Sequence, residues 1–230
     1  MQPLLNGISS MATRQVLGEL AADWQNRGGE PLAIESVGGV DAARRVQSGE
    51  GAYDLVFLAA DALARLQAAN RVVAGSVTAL MRSATAVAVP AGAALPDISS
   101  EDAVRAAVLA APSIGYSTGP SGVALQALFE RWGIAQQIAA RTVQAKPGVP
   151  VGALIASGEV ALGFQQLAEL IHVPGITIVG PLPPAIAVDT VFGGAIVAGT
   201  PHEKEARRVL DFMASPEAAD AKRHQGMAPA

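Results

Sequence analysis

Cysteine is absent from this 230-residue chain. That removes disulfides, thiolate metal ligands and cysteine nucleophiles together, while leaving either the cytosol or the periplasm open as a compartment. Histidine is scarce: only His172, His202 and His224 occur, and no HxxxH or HExxH spacing links them. A histidine-rich zinc site is therefore not expected. No basic run exceeds Arg44-Arg45 or Arg207-Arg208, and the net charge is −4. Nucleic-acid binders carry a basic stripe that releases counterions, so nucleic acid is not an expected partner. No apolar run approaches the roughly 18 residues that cross a bilayer, so membrane insertion is not expected either. The opening Met-Gln-Pro-Leu-Leu-Asn lacks the basic and apolar regions of a signal peptide. The chain reads either as cytosolic or as the mature part of an exported protein.

Aromatics make up only 4% of the residues, yet half of all residues are hydrophobic, with alanine and valine dominant. Small apolar side chains suit closely packed layers of helix on sheet. Residues 4–8 form a short apolar run. Val16, Leu17, Leu20, Ala21 and Trp24 then recur at helical spacing until Gly28-Gly29, with Ser10 placed as an N-cap. The same plan recurs: a strand over 31–36 leads to a helix over 41–47, and a continuous apolar strand over 53–58 to a helix over 62–69. A β-branched strand over 85–89 stops at Pro90. Further on, helices are expected over 104–110, 123–132, 149–156, 166–171 and 202–213, with a last one after Ser215-Pro216. Strands are expected over 113–116, 160–164, 176–179 and 188–197. This alternation predicts an α/β fold with mostly parallel sheets flanked by helices.

In such sheets ligands sit beyond the carboxyl ends of the strands. Three strand-to-helix turns are rich in glycine and hydroxyls: Gly7-Ile8-Ser9-Ser10, Val37-Gly38-Gly39, and Ser117-Thr118-Gly119-Pro120-Ser121-Gly122. Free amides at helix N-termini attract anions. Each turn alone is equally an ordinary turn or cap; three in one chain point to a neutral cage for a small anion.

The order of motifs then becomes informative. Gly7-Ile8-Ser9-Ser10-Met11-Ala12-Thr13, then Gly38-Gly39-Val40-Asp41-Ala42-Ala43-Arg44-Arg45-Val46, then Tyr53-Asp54-Leu55-Val56-Phe57-Leu58-Ala59-Ala60-Asp61 resembles the periplasmic molybdate-binding protein family. So does Tyr116-Ser117-Thr118-Gly119-Pro120-Ser121-Gly122 together with residues 212–225. The resemblance implies a type II periplasmic solute-binding protein, a two-lobed Venus flytrap. Its first lobe would hold residues 1–84 and 188–230 and its second residues 85–187, with crossings near 82–86 and 182–188. It also implies a periplasmic location, a small anionic ligand, an ABC permease as partner and no cofactor.

The family's binding positions carry over unevenly. Ser9 matches the first ligand serine. Gly38-Gly39 stands where the family has a serine-rich turn, keeping amides and losing hydroxyls. Gln166, beside Gln165, stands where the family places a tyrosine. These changes leave more room and favour a di- or tricarboxylate over molybdate. Arg82, in a small apolar neighbourhood near a crossing, would pair bidentately with a carboxylate, or be a surface arginine of the connection. The expected ligand-binding set is Ser9, Ser10, Gly38, Gly39, Arg82, Ser117, Thr118, Ser121, Gln165 and Gln166.

Two functions lead, ahead of a cytosolic ligand-sensing domain, which would need a fused DNA-binding segment or a partner surface. One is capture of an anion for an ABC-type uptake system. The other is catalysis on the same scaffold, because proteins resembling this family include aconitate isomerases, which move a proton along an allylic tricarboxylate without a cofactor. The second requires a base, and no residue stands out as one from sequence.

Overall fold

The computed structural model describes residues 3–146 and 148–230. The chain forms two compact units, one from residues 1–82 with 191–230, the other from residues 83–190.

In the first unit three strands each feed a helix. β1 (Leu5–Ser10) passes through a 3-10 turn into α1 (Arg14–Asn26), β2 (Leu32–Val37) into α2 (Gly39–Ser48), and β3 (Leu55–Ala59) into α3 (Ala60–Ala68). Helical crossovers return the chain to the same end of the sheet, so the strands pair in parallel, in the order β2-β1-β3. Every residue of β3, Leu-Val-Phe-Leu-Ala, is buried, as a strand covered on both faces requires. Ile8, Val56 and Leu58 form one apolar cluster with Ala42 and Val46 of α2 and Leu63 and Leu66 of α3.

β4 (Thr78–Pro90) carries the chain from the first unit into the second. There α4 (Glu101–Ala110), β5 (Ile114–Tyr116), α5 (Pro120–Arg131), α6 (Ala135–Ile138), β6 (Thr142–Gln144), α7 (Val151–Ala156), β7 (Leu162–Gln166), α8 (Leu167–Leu170) and β8 (Ile176–Pro181) follow. Again three strands are parallel, in the order β6-β5-β7. β4 lies antiparallel to both β7 and β8. Alternate residues of β4 serve opposite faces. Val87 and Val89 join a core with Ile114, Phe129 and Phe164, whereas Ala86 and Ala88 join one with Val151, Ile155 and Leu170.

β9 (Asp189–Ile196) brings the chain back and lies antiparallel to β3. α9 (Glu203–Ala214), α10 (Ala219–His224) and β10 (Ala228–Pro229) complete the first unit, with β10 antiparallel to the start of β4. The fold is α/β, as the alternating pattern indicates. Each parallel trio is extended by antiparallel strands that the expectation of mostly parallel pairing does not resolve. Ser10 and Ser215 precede the 3-10 turns Met11–Thr13 and Pro216–Ala218, whereas the N-caps of α1 and α10 are Thr13 and Ala218, and neither serine hydroxyl bonds a helix amide. Ser100 does: it accepts from the Ala103 amide at 3.2 Å.

Candidate functional site

In the first unit β1 ends in two buried serines. Ser9 lies opposite Ser36 in the β1–β2 register, and their hydroxyl oxygens are 2.8 Å apart. The Ser10 hydroxyl is buried and has no partner among the described residues. Leaving a buried hydroxyl unpaired costs about 1–3 kcal/mol, so such a group stands ready to bond a ligand. Gly38 is the N-cap of α2 and Gly39 its first residue. A Cβ on Gly39 would lie 3.4 Å from that of Ser10, so the first two turns meet. A Cβ on Gly38 would meet nothing within 4 Å. The unit thus brings Ser9, Ser10, Gly38 and Gly39 together beside the free amides of α2. Arg44 and Arg45 on the same helix are engaged elsewhere, paired with Asp41, Glu50 and Glu35.

In the second unit the Ser117–Gly122 turn is tightly built. Ser117 Oγ accepts from the Gly119 amide at 3.2 Å and lies 3.2 Å from the hydroxyl of buried Ser121. A Cβ on Gly122 would fall 1.7 Å from the Ser117 carbonyl oxygen, so only glycine fits there. Tyr116 pairs with Phe164 across β5 and β7. The residues that follow, Ser117 and Gln165, therefore stand at neighbouring strand ends. Thr118 is exposed.

Gln165 and Gln166 are both 2% exposed. Gln165 accepts from the Gly152 amide of α7 at 3.3 Å and donates through Nε2 to Glu169 Oε2. Gln166 Nε2 donates to Thr190 Oγ1 at 2.6 Å, and its Oε1 is buried without a partner among the described residues. Thr85 lies directly opposite Gln166 on β4, and its hydroxyl is likewise buried and unpartnered. Because the Thr190 hydroxyl donates as well as accepts, the Gln166 amide can turn over and offer its NH2 to an anion. Ser83, also buried on β4, accepts from the Ala168 amide of α8 at 3.5 Å.

Glu169, on α8, is half-buried. Burial pushes its carboxyl up to about 7, against the smaller lowering effect of the Gln165 hydrogen bond. A carboxyl balanced between its two forms near neutral pH can both take and return a proton. Arg82 is exposed on β4, opposite Ala228, and makes no ion pair with a described residue.

Ser36, Thr85, Thr190 and Glu169 are not apparent from sequence. Ser36 and Thr85 matter only through strand register. Glu169 stands four residues after Gln165, but Gln165 lies on β7 and the two share no helix, so the spacing carries no helical signal. Among the described residues no cluster of His, Asp or Glu could hold a metal ion, and no helix is long and apolar enough to cross a membrane.

The α/β architecture, with hydroxyls and amides at the carboxyl ends of its parallel strands, is that of type II periplasmic binding proteins. A family model described as bacterial extracellular solute-binding protein matches residues 5–228, and the chain belongs to that family. It is 41% identical over 177 residues, 76% of this chain and 67% of the other, to a Pseudomonas sp. protein named aconitate isomerase. Among solved structures it resembles the periplasmic molybdate-binding protein of Azotobacter vinelandii, with a TM-score of 0.81, 21% identity, and 97% and 98% of the two chains covered. It also resembles a tungstate-binding protein from Desulfovibrio alaskensis, with a TM-score of 0.71, 16% identity, and 99% of each chain covered.

Proposed function

We propose that this chain binds aconitate, a small tricarboxylate, and interconverts its trans and cis forms. One observation carries the reading: a chain 41% identical to a protein named aconitate isomerase holds, at the ends of β1 and β7 and on β4, buried polar atoms with no partner among the described residues. In the first unit these are the Ser10 hydroxyl beside the α2 amides; in the second they are the Thr85 hydroxyl and the Gln166 amide. The two hydroxyls, and the Gln166 amide once turned over on Thr190, are neutral donors that bind carboxylates without burying a cation. The open space at Gly38 suits a ligand larger than a tetrahedral oxyanion. Exposed Arg82 has a guanidinium free for one carboxylate. The reading places the protein in the periplasm, in keeping with its family.

A second reading is favoured by the likeness to molybdate- and tungstate-binding structures. In it the protein delivers an anion to an ABC permease and performs no chemistry. A thermal-shift panel separates ligand classes, because a ligand that binds only the folded state raises Tm by mass action. Trans- and cis-aconitate are expected to raise Tm, and molybdate, tungstate, sulfate and phosphate to leave it unmoved. A shift with a tetrahedral oxyanion alone would replace the first reading by the second.

A further inference from the structure

The allylic shift requires a base, and the second unit contains one carboxyl built for the task. Glu169 is held by Gln165, whose amide cannot rotate freely: its carbonyl oxygen accepts from Gly152 at 3.3 Å, so its NH2 is directed at Glu169 Oε2. One carboxyl oxygen is thereby fixed, and no described residue donates to the other, Oε1. α7, β7, β4 and β8 pack against α8; α7, β7 and β8 carry no titratable side chain, the one charged residue of β4 is exposed Arg82, and Glu169 is the only titratable residue on α8 itself. The next titratable residue along the chain is His172, beyond the end of α8. Glu169 lies three residues after Gln166, which stands opposite Thr85 in the β4–β7 register; the Gln166 Oε1 and the Thr85 hydroxyl are both buried without a partner among the described residues. A half-buried acid fixed by a dedicated amide, next to spare polar groups, has no structural ion pair to explain it.

We propose that Glu169 carries the proton between the two carbons of the allylic tricarboxylate, and that Gln165 is its positioning residue. The assignment rests on the isomerase reading above. Ionised Glu169 takes a proton from the substrate methylene, and the C–H electron pair forms a new double bond to the central carbon. The former double bond shifts its electrons onto the vinyl carbon. Protonated Glu169 then gives the proton to that carbon, forming a C–H bond and restoring the carboxylate. Nothing is oxidised or reduced, and no co-reactant is consumed. A raised pKa serves both halves of this cycle, because a weaker acid is a stronger base and still returns the proton at neutral pH.

The test is turnover of trans-aconitate by the purified chain and by Glu169→Gln, Glu169→Asp and Gln165→Leu, each checked for cooperative melting, with affinity measured by calorimetric titration. Glu169→Gln is expected to lower kcat at least about 100-fold while binding trans-aconitate within about threefold of wild type. Glu169→Asp, which keeps the carboxyl, is expected to retain part of the activity. The wild-type rate should rise with pH through a midpoint near 7, as a base that must be ionised requires. Gln165→Leu removes a bond that favours the carboxylate, so its midpoint should move to higher pH, a change that a merely structural role would not produce. Wild-type turnover with Glu169→Gln within tenfold of it would overturn the assignment of Glu169 and leave the isomerase reading standing. No wild-type turnover would overturn the isomerase reading, and this assignment with it.

Discussion

Ser9 and Ser10 are neighbours of the same residue type, yet their hydroxyls have opposite fates: Ser9 is bonded to Ser36, and Ser10 is buried without a partner. Ser9→Ala removes an internal hydrogen bond and is expected to cost stability, about 0.5–1.5 kcal/mol. Arg82→Ala, at an exposed position without an ion pair, is expected to leave Tm unchanged and to weaken tricarboxylate binding at least about tenfold. A titration in which Arg82→Ala binds like wild type would remove Arg82 from the ligand. Glu169 gives a stability prediction with a definite sign. Its folded value, about 7, lies above its ordinary 4.5, so the folded state holds the proton more tightly than the unfolded chain. Stability is then lost as pH rises from 4.5 to 7, at about 1.4 kcal/mol per unit of pKa difference. Glu169→Gln should melt like wild type near pH 4.5 and above it from pH 7 upward, as scanning calorimetry at both pH values would report. The serines, glycines and glutamines of the proposed site are legible in sequence as turn and strand-end residues. Glu169 is not, because one glutamate on a short helix looks the same whether it faces solvent or is desolvated.

Elements were legible where periodicity had room to act. The helices over Arg14–Asn26 and Glu203–Ala214 and the continuous strand Leu55–Ala59 follow directly from their apolar spacing. β4 is longer than its β-branched half, running from Thr78 to Pro90, because polar Arg82 and Ser83 interrupt the apolar pattern without ending the strand. α6, β6 and β10 have four residues or fewer, too short for any period to register. The Ser117–Gly122 turn was recognisable from composition, but its tightness was not. Gly122 lies against the Ser117 carbonyl, and an added methyl would overlap that oxygen. Gly122→Ala is thus expected to destabilise by about 1–3 kcal/mol, or roughly 2–10 °C in Tm for a chain of this size. It should also displace Ser117 and lower ligand affinity. A variant with wild-type Tm would show that the turn opens at no cost.

For the molecule as a whole, both units are built on one scheme: a parallel trio ordered β2-β1-β3 or β6-β5-β7, with an antiparallel strand, β9 or β4, against its third member. Repetition of this scheme made the fold and the family legible from the order of motifs. The ligand is a different matter, because one backbone hosts many chemistries and function resides in a few strand-end side chains. Gly38-Gly39 and Gln165-Gln166 signal a departure from a molybdate site in sequence. The buried, unpartnered atoms of Ser10, Thr85 and Gln166 emerge only from packing and register. The central claim is turnover, and proton NMR of trans-aconitate incubated with the purified chain tests it most directly. The account predicts growth of cis-aconitate resonances to equilibrium at a rate proportional to protein concentration. A spectrum that stays that of trans-aconitate, at protein concentrations where calorimetry shows the ligand bound, would contradict it and make the protein a binder alone.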